Sequence, residues 1–239
     1  MNIQTQEMLT SRLIVLDGLP GSGKTTTGQW LTTQLQQHGL NARWLPEADV
    51  AHPLWWYQHW NGTEYQPPDF ENTPIETFIQ DSLRKWKDFV DQAHTDAQLH
   101  VAESLFFQNA VAMFLMGGAR PAMLFEYAQQ VQAITQSLNP ILIYFRQPDA
   151  AAALRKICTW RGQAFEDELI RNMERFPFLC QRKLKGLDGV TALWSEISQI
   201  TDALFDEYRV RKLSIETSKG NWQAYQRLIL DSLDIRFPR

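Results

Sequence analysis

The run Gly18-Leu-Pro-Gly-Ser-Gly-Lys24-Thr25 matches the pattern G-x-x-x-x-G-K-[ST] at every fixed position. Its flanks restrict the chain further. Residues 12–17, Arg-Leu-Ile-Val-Leu-Asp, are too apolar to alternate and too short for a helix, so they read as a buried strand. Residues 25–38 follow with helical spacing at Trp30, Leu31 and Leu35, and Gly39 is placed to end that helix. Strand, glycine-rich turn and helix in this order aim successive backbone N–H groups, at the positive end of a helix, toward one point. That is a phosphate cradle. Gly18, Gly21, Ser22 and Gly23 are its expected loop residues, with Lys24 reaching the β- and γ-phosphates, Thr25 ligating Mg²⁺ and Thr26 serving the α-phosphate.

The remaining chain repeats the alternation. Strands are expected at 41–46, 99–104, 141–145 and 211–216, and helices at 75–97, 105–116, 121–137, 150–160, 165–183, 190–207 and 222–233. Strands that alternate with helices imply parallel β-α units and a sheet covered on both faces. The expected architecture is a three-layer α/β fold with a five-stranded parallel sheet in the order 2-3-1-4-5. With no linker or repeat visible, the 239 residues read as one domain, carrying an acceptor-side insertion at about 47–97 and a lid at about 146–185.

Composition excludes several function classes. A net charge of −4 and a pI near 5.7 argue against nucleic acid and anionic membranes as partners. Two cysteines cannot build a disulfide framework, no Cys/His group has zinc spacing, and no apolar run spans a bilayer. Residues 1–11 lack a secretory signal, so a cytoplasmic protein is expected. The charge is uneven, however. Residues 139–185 hold 9 Lys/Arg against 5 Asp/Glu, a basic segment within an acidic whole.

The N-K-x-D guanine signature of GTPases is absent, as is the Asp-Glu strand end of motor and transport ATPases. A single acid, Glu103, ends the third strand. The arrangement resembles the superfamily of deoxynucleoside and thymidylate kinases, and most of all the bacterial thymidylate-kinase-like P-loop proteins. In that superfamily the second strand leads into a Glu-Pro-type segment with a nearby Trp, and here Leu45-Pro-Glu47-Ala-Asp49 precedes Trp55-Trp56. The third strand ends there in Glu/Asp-Arg-Ser; Glu103-Ser104-Leu-Phe is similar, without the arginine. Tyr144-Phe-Arg146-Gln-Pro148, followed by Arg155, Lys156 and Arg161, is similar to the superfamily's strand and arginine-bearing lid. The resemblance implies that Glu47 accepts the acceptor hydroxyl's proton, and that lid arginines steady the transferring phosphoryl group.

Other residues carry two readings each. Glu103 can hold Mg²⁺ or an acceptor hydroxyl, or cap a helix. Arg155 and Arg161, with Arg146, Arg171 and Arg175, are either a phosphate clamp or a solvated face paired to Glu166, Asp167, Glu168 and Glu174. Asp49 and His52 are weaker site candidates beside the turn-forming Pro53. Trp55, Trp56 and Trp60 form either an acceptor-stacking floor or an apolar cap, and Trp222 reads as a core residue before it reads as a base-stacking one. The expected catalytic set is Lys24, Glu47, Glu103, Arg155 and Arg161, with ATP and Mg²⁺ bound. The expected partner is a small-molecule phosphoryl acceptor, and a homodimer stays open. The alternative is a nucleotide-binding switch or regulatory ATPase acting through a protein partner.

Overall fold

In the computed structural model, which describes residues 10–47, 49, 52–55 and 68–233, six wholly buried residues form the central strand β1 (Leu13–Gly18). Its apolar run suits a strand with no solvent face. Around it stand β2 (Ala42–Leu45), β3 (Leu99–Glu103), β4 (Ile141–Arg146) and β5 (Arg211–Glu216), every pairing parallel, in the order β2-β3-β1-β4-β5. This is a three-layer α/β fold of the P-loop NTPase type.

The alternation of Cβ atoms along β1 divides the core. Ile14 and Leu16 face α1 (Lys24–Gln37) and α9 (Trp222–Ser232), whereas Leu13 and Val15 face the larger second layer. That layer contains α2 (Ile75–Thr95), α3 (Ala110–Met116), α4 (Pro121–Thr135), α5 (Ala150–Arg161), α6 (Gln163–Met173), α7 (Pro177–Arg182) and α8 (Gly186–Glu207). Trp86 of α2 and Tyr127 of α4 are buried there, and the Tyr127 hydroxyl accepts the Trp86 indole N–H at 3.2 Å. Cys158 is buried and Cys180 exposed, both as free thiols. Among the described residues no helix is long and apolar enough to cross a membrane.

Most helix boundaries fall within two residues of the sequence expectation, and three regions depart from it further. The helix expected from residue 105 starts only at Ala110, because the amides of Phe106, Phe107 and Gln108 turn toward the Asp17 carboxylate instead of into a helix. Ser104, at φ 62, makes the reversal that brings them there. The helix expected over 165–183 is split into α6 and α7. Phe176 precedes Pro177 and is driven to extended geometry, while Pro177 suits the first turn of a new helix. Finally α8 starts at Gly186 rather than 190, its first amide held by the Glu174 carboxylate at 2.8 Å.

Candidate functional site

All five strands run parallel, so their carboxyl ends collect on one edge, where open α/β sheets place ligands. The loop between β1 and α1 lies on this edge. Gly18 has φ +141, and a Cβ there would lie 2.5 Å from the Phe145 carbonyl oxygen of β4. Gly23 caps α1 at φ +95, with the Trp222 indole packed against it. No side chain caps the first turn of α1, and the buried Ser22 Oγ has no partner. An uncapped helix start and an orphaned buried hydroxyl are what a phosphate-binding loop leaves for its ligand. Gly18→Ala should lower unfolding stability by about 2 kcal/mol, since neither the backbone angle nor the β4 carbonyl can give way. Urea denaturation with an unchanged m-value would register that loss.

Lys24 is 4% exposed, and its ammonium donates to the carbonyl oxygens of Gly18 and Leu19 at 2.9 and 3.0 Å. Burial pulls its pKa below the ordinary lysine value, opposed by Glu47, Asp17 and Glu103. Thr25 donates its hydroxyl to Glu103 Oε1 at 2.5 Å, joining the loop to the end of β3. This oxygen pair is a hard donor set of the kind that serves Mg²⁺, which keeps waters and substrate oxygens as its other ligands. Among the described residues no three His, Cys, Asp or Glu side chains form a complete metal cage. Thr26 is exposed on the first turn of α1.

Glu47 stands two residues beyond β2. Its backbone N–H donates to Glu103 Oε2 at 3.5 Å, and its carboxylate accepts the Gln108 side-chain amide at 3.2 and 3.5 Å. Burial raises its pKa above the ordinary value of 4.5, against the lowering effect of Lys24. A carboxylate held by a neutral amide, rather than by a guanidinium, keeps its basicity and can take a proton from a nearby hydroxyl.

Two residues of this network carry no motif signal. Asp17 is fully buried and accepts the amides of Gly18, Phe106, Phe107 and Gln108 at 2.8–3.2 Å. Burial raises its pKa above the ordinary 3.8. Gln108 lies on the segment Asp17 holds, so the same residue bonds Asp17 through its backbone and Glu47 through its side chain. An acid next to the end of an otherwise apolar β1 is the one sequence hint, because a carboxylate there must find donors.

Asp17, Glu47, Glu103 and Thr25 border one cavity of about 890 Å³. Trp55, Met113, Met116, Phe165 and Trp194 form apolar parts of its wall, so Trp55 of the aromatic cluster reaches the site. Trp56 and Trp60 fall outside the described residues. Arg161, at the end of α5, lines the cavity and lies 4.8 Å above the Phe165 ring. Arg155 is exposed on α5 and is not among the lining residues. Arg146 pairs with Asp202 at 3.1 Å, while Arg171 and Arg175 are exposed and Asp167 accepts from Gln163 at 2.9 Å. Trp222 is not a core residue: it is 40% exposed, over Gly23 and edge-on to Tyr225.

His52 lines a small neighbouring void with Trp86 and Tyr127, not the large cavity. Burial lowers its pKa to about 4, and burial also lowers that of His100. The unfolded chain therefore binds these protons more readily than the folded one. The contribution of these two histidines to folding stability should be level above pH 6.5 and fall as the pH drops from 6.5 toward about 4, opposite in sign to that of Asp17 and Glu47, whose pKa values burial raises. The slope is at most about 1.4 kcal/mol per pH unit for each histidine. Denaturant midpoints of the parent and of His52→Gln at pH 7 and pH 5 isolate the His52 part: the parent should lose more stability than the variant between the two pH values.

No protein-family model and no curated relative matches the chain. Among solved structures it is similar to the YorR protein of Bacillus subtilis, a structure in complex with phosphorylated GDP, at 12% identity and a TM-score of 0.48, covering 93% of this chain and 96% of that one. It is also similar to APE1195, at 16% identity and a TM-score of 0.43, covering 94% and 96%. The fold is identified by its own strand order.

Proposed function

We propose that the chain is an ATP- and Mg²⁺-dependent phosphotransferase acting on a hydroxyl group of a small molecule. The observation that carries this reading is the cavity, in which the nucleotide loop and the Glu47–Glu103 pair face one recessed space. A switch that docks a protein needs a flat exposed patch at this position. Gly18, Gly21, Ser22, Gly23, Lys24, Thr25 and Thr26 would hold the ATP phosphates, with Thr25 and Glu103 as the Mg²⁺ residues. Mg²⁺, when bound, supplies charge neutralisation on the phosphate oxygens.

Glu47 takes the acceptor hydroxyl's proton as the new P–O bond forms and the bond to the β,γ-bridging oxygen breaks. ADP leaves with that electron pair. Lys24 and Arg161 oppose the negative charge, and the cavity walls keep water from competing with the acceptor. Trp222, exposed over Gly23, is the ring available to stack on the donor base, and Gln147 Oε1 and Thr217 Oγ1, one residue beyond the ends of β4 and β5, are buried without a hydrogen-bond partner.

One observation favours the alternative of a nucleotide-binding switch: Trp160, 80% exposed at the end of α5, suits contact with a partner protein. Incubation with γ-labelled ATP and a small-molecule extract separates the two. Label in an organic product supports transfer, and label released only as inorganic phosphate supports the switch.

A further inference from the structure

We infer that the acceptor is a phosphate-free alcohol with a bulky apolar body, and that nucleoside monophosphates and other phosphate monoesters are excluded. This rests on the phosphotransferase reading and names the substrate class of the same cavity.

The charge around the cavity is the first ground. A monoester acceptor brings about two negative charges into a recessed site, where it must be met by cations or by free backbone amides. Four carboxylates line the cavity, those of Asp17, Glu47, Glu103 and Glu168, while Arg161 is the one lining Lys or Arg among the described residues. Arg161 sits at the lid end, stacked over Phe165. The three basic residues of the 47–97 insertion, Arg84, Lys85 and Lys87 of α2, are not among the residues that line the cavity. Residues 47–83 and 88–119 contain no lysine or arginine. Arg84 of α2 is exposed and paired with Asp81 at 2.8 Å.

Backbone amides are the second route to a phosphate, and the protein has closed it. The amides of Phe106, Phe107 and Gln108 converge on one point beside the cavity, as in an anion-binding nest. That point is already filled by the chain's own Asp17 carboxylate. An incoming phosphate would have to displace a buried carboxylate from four hydrogen bonds. The residue after Glu103 is the uncharged Ser104, whose Oγ lies 3.4 Å from Gln108 Oε1.

The walls provide the positive half of the inference. Trp55, Met113, Met116, Leu169, Met173 and Trp194 surround the volume beyond Glu47. Methionine side chains adapt to irregular apolar shapes, and aromatic rings give them a firm counterface. The cavity of about 890 Å³, within the range of roughly 300–1,000 Å³ for small-molecule sites, is shared between the donor's terminal phosphates at Gly18–Thr25 and the acceptor against these walls. A neutral alcohol fits this space through its hydroxyl at Glu47 and its body against these walls. In the transfer, the acceptor oxygen bonds to the γ-phosphorus, its proton passes to Glu47, and ADP departs with the bridging-oxygen electron pair.

The test uses the full chain with Mg²⁺ and γ-labelled ATP, after calorimetry has established that ATP binds. Matched pairs of an alcohol and its own phosphate monoester are offered: nucleosides, aromatic amino alcohols and medium-chain alcohols. Label on alcohols, with kcat/KM at least about 100-fold above the paired monoester, is the expected result. A monoester used as well as its parent alcohol overturns the inference while leaving the phosphotransferase reading intact. No label on any acceptor despite bound ATP overturns both. Leu169→Ser, a half-buried wall position, should raise KM for the preferred alcohol about tenfold and leave KM for ATP unchanged. Equal KM values for the alcohol in both proteins would remove the apolar body from the proposal.

Discussion

Lys24→Ala is expected to reduce phosphoryl transfer by about 10³-fold or more while circular dichroism stays that of the parent protein. Without nucleotide, the ammonium satisfies two loop carbonyls from a position 4% exposed, and Asp17, Glu47 and Glu103 bring negative charge near it. Three acids around one buried cation form an electrostatic pair set that needs the cation. Its loss leaves the phosphates of the donor facing carboxylates without a counter-charge. Single-turnover transfer of labelled phosphate is the appropriate measurement, because it separates the chemical step from product release. Wild-type turnover in this variant would remove the glycine-rich loop from the mechanism.

Glu47→Gln is expected to lower kcat by about 10²- to 10³-fold with little change in ATP affinity. Glutamine keeps the size of the side chain and an oxygen for the Gln108 amide, so the loss isolates proton acceptance. The pH profile carries the same information. Because burial raises the Glu47 pKa above 4.5, the parent enzyme should gain activity as the pH rises through a limb above that value. In the variant this limb disappears. A glutamine enzyme that keeps both the rate and the acid limb would assign the base to another group.

Parts of this site were legible in the sequence because local rules determine them. The glycines of the loop answer to backbone geometry, and the apolar run of β1 answers to burial on both faces, so motif and strand could be read together. Glu47 and Glu103 were visible as acids at strand ends on the ligand edge. The 105–109 segment was not legible, since its conformation depends on a carboxylate 89 to 91 positions away. Apolar spacing made it look like the start of α3. Gln108 was hidden for the same reason, because nothing local distinguishes an amide that donates to the buried Glu47 carboxylate from one on a solvated helix.

Helical spacing equally failed to separate the basic residues after β4. Arg155 and Arg161 lie on one helix, but six residues apart they project in directions roughly 120° apart, and only the second lines the cavity. Trp222 read as core because first-turn tryptophans usually pack inward. Its ring rests instead on Gly23, a glycine whose missing side chain leaves room for it.

The most direct test of the central claim, that donor and acceptor meet in the cavity between the glycine-rich loop and Glu47, is a crystal structure with a non-hydrolysable ATP analogue, Mg²⁺ and the preferred alcohol. The expected result has the β-phosphate inside the Gly18–Lys24 loop and Lys24 Nζ moved from the Gly18 and Leu19 carbonyls to phosphate oxygen. The alcohol hydroxyl is then within hydrogen-bond distance of the Glu47 carboxylate. A nucleotide seated elsewhere, or an acceptor bound outside this cavity, would contradict it.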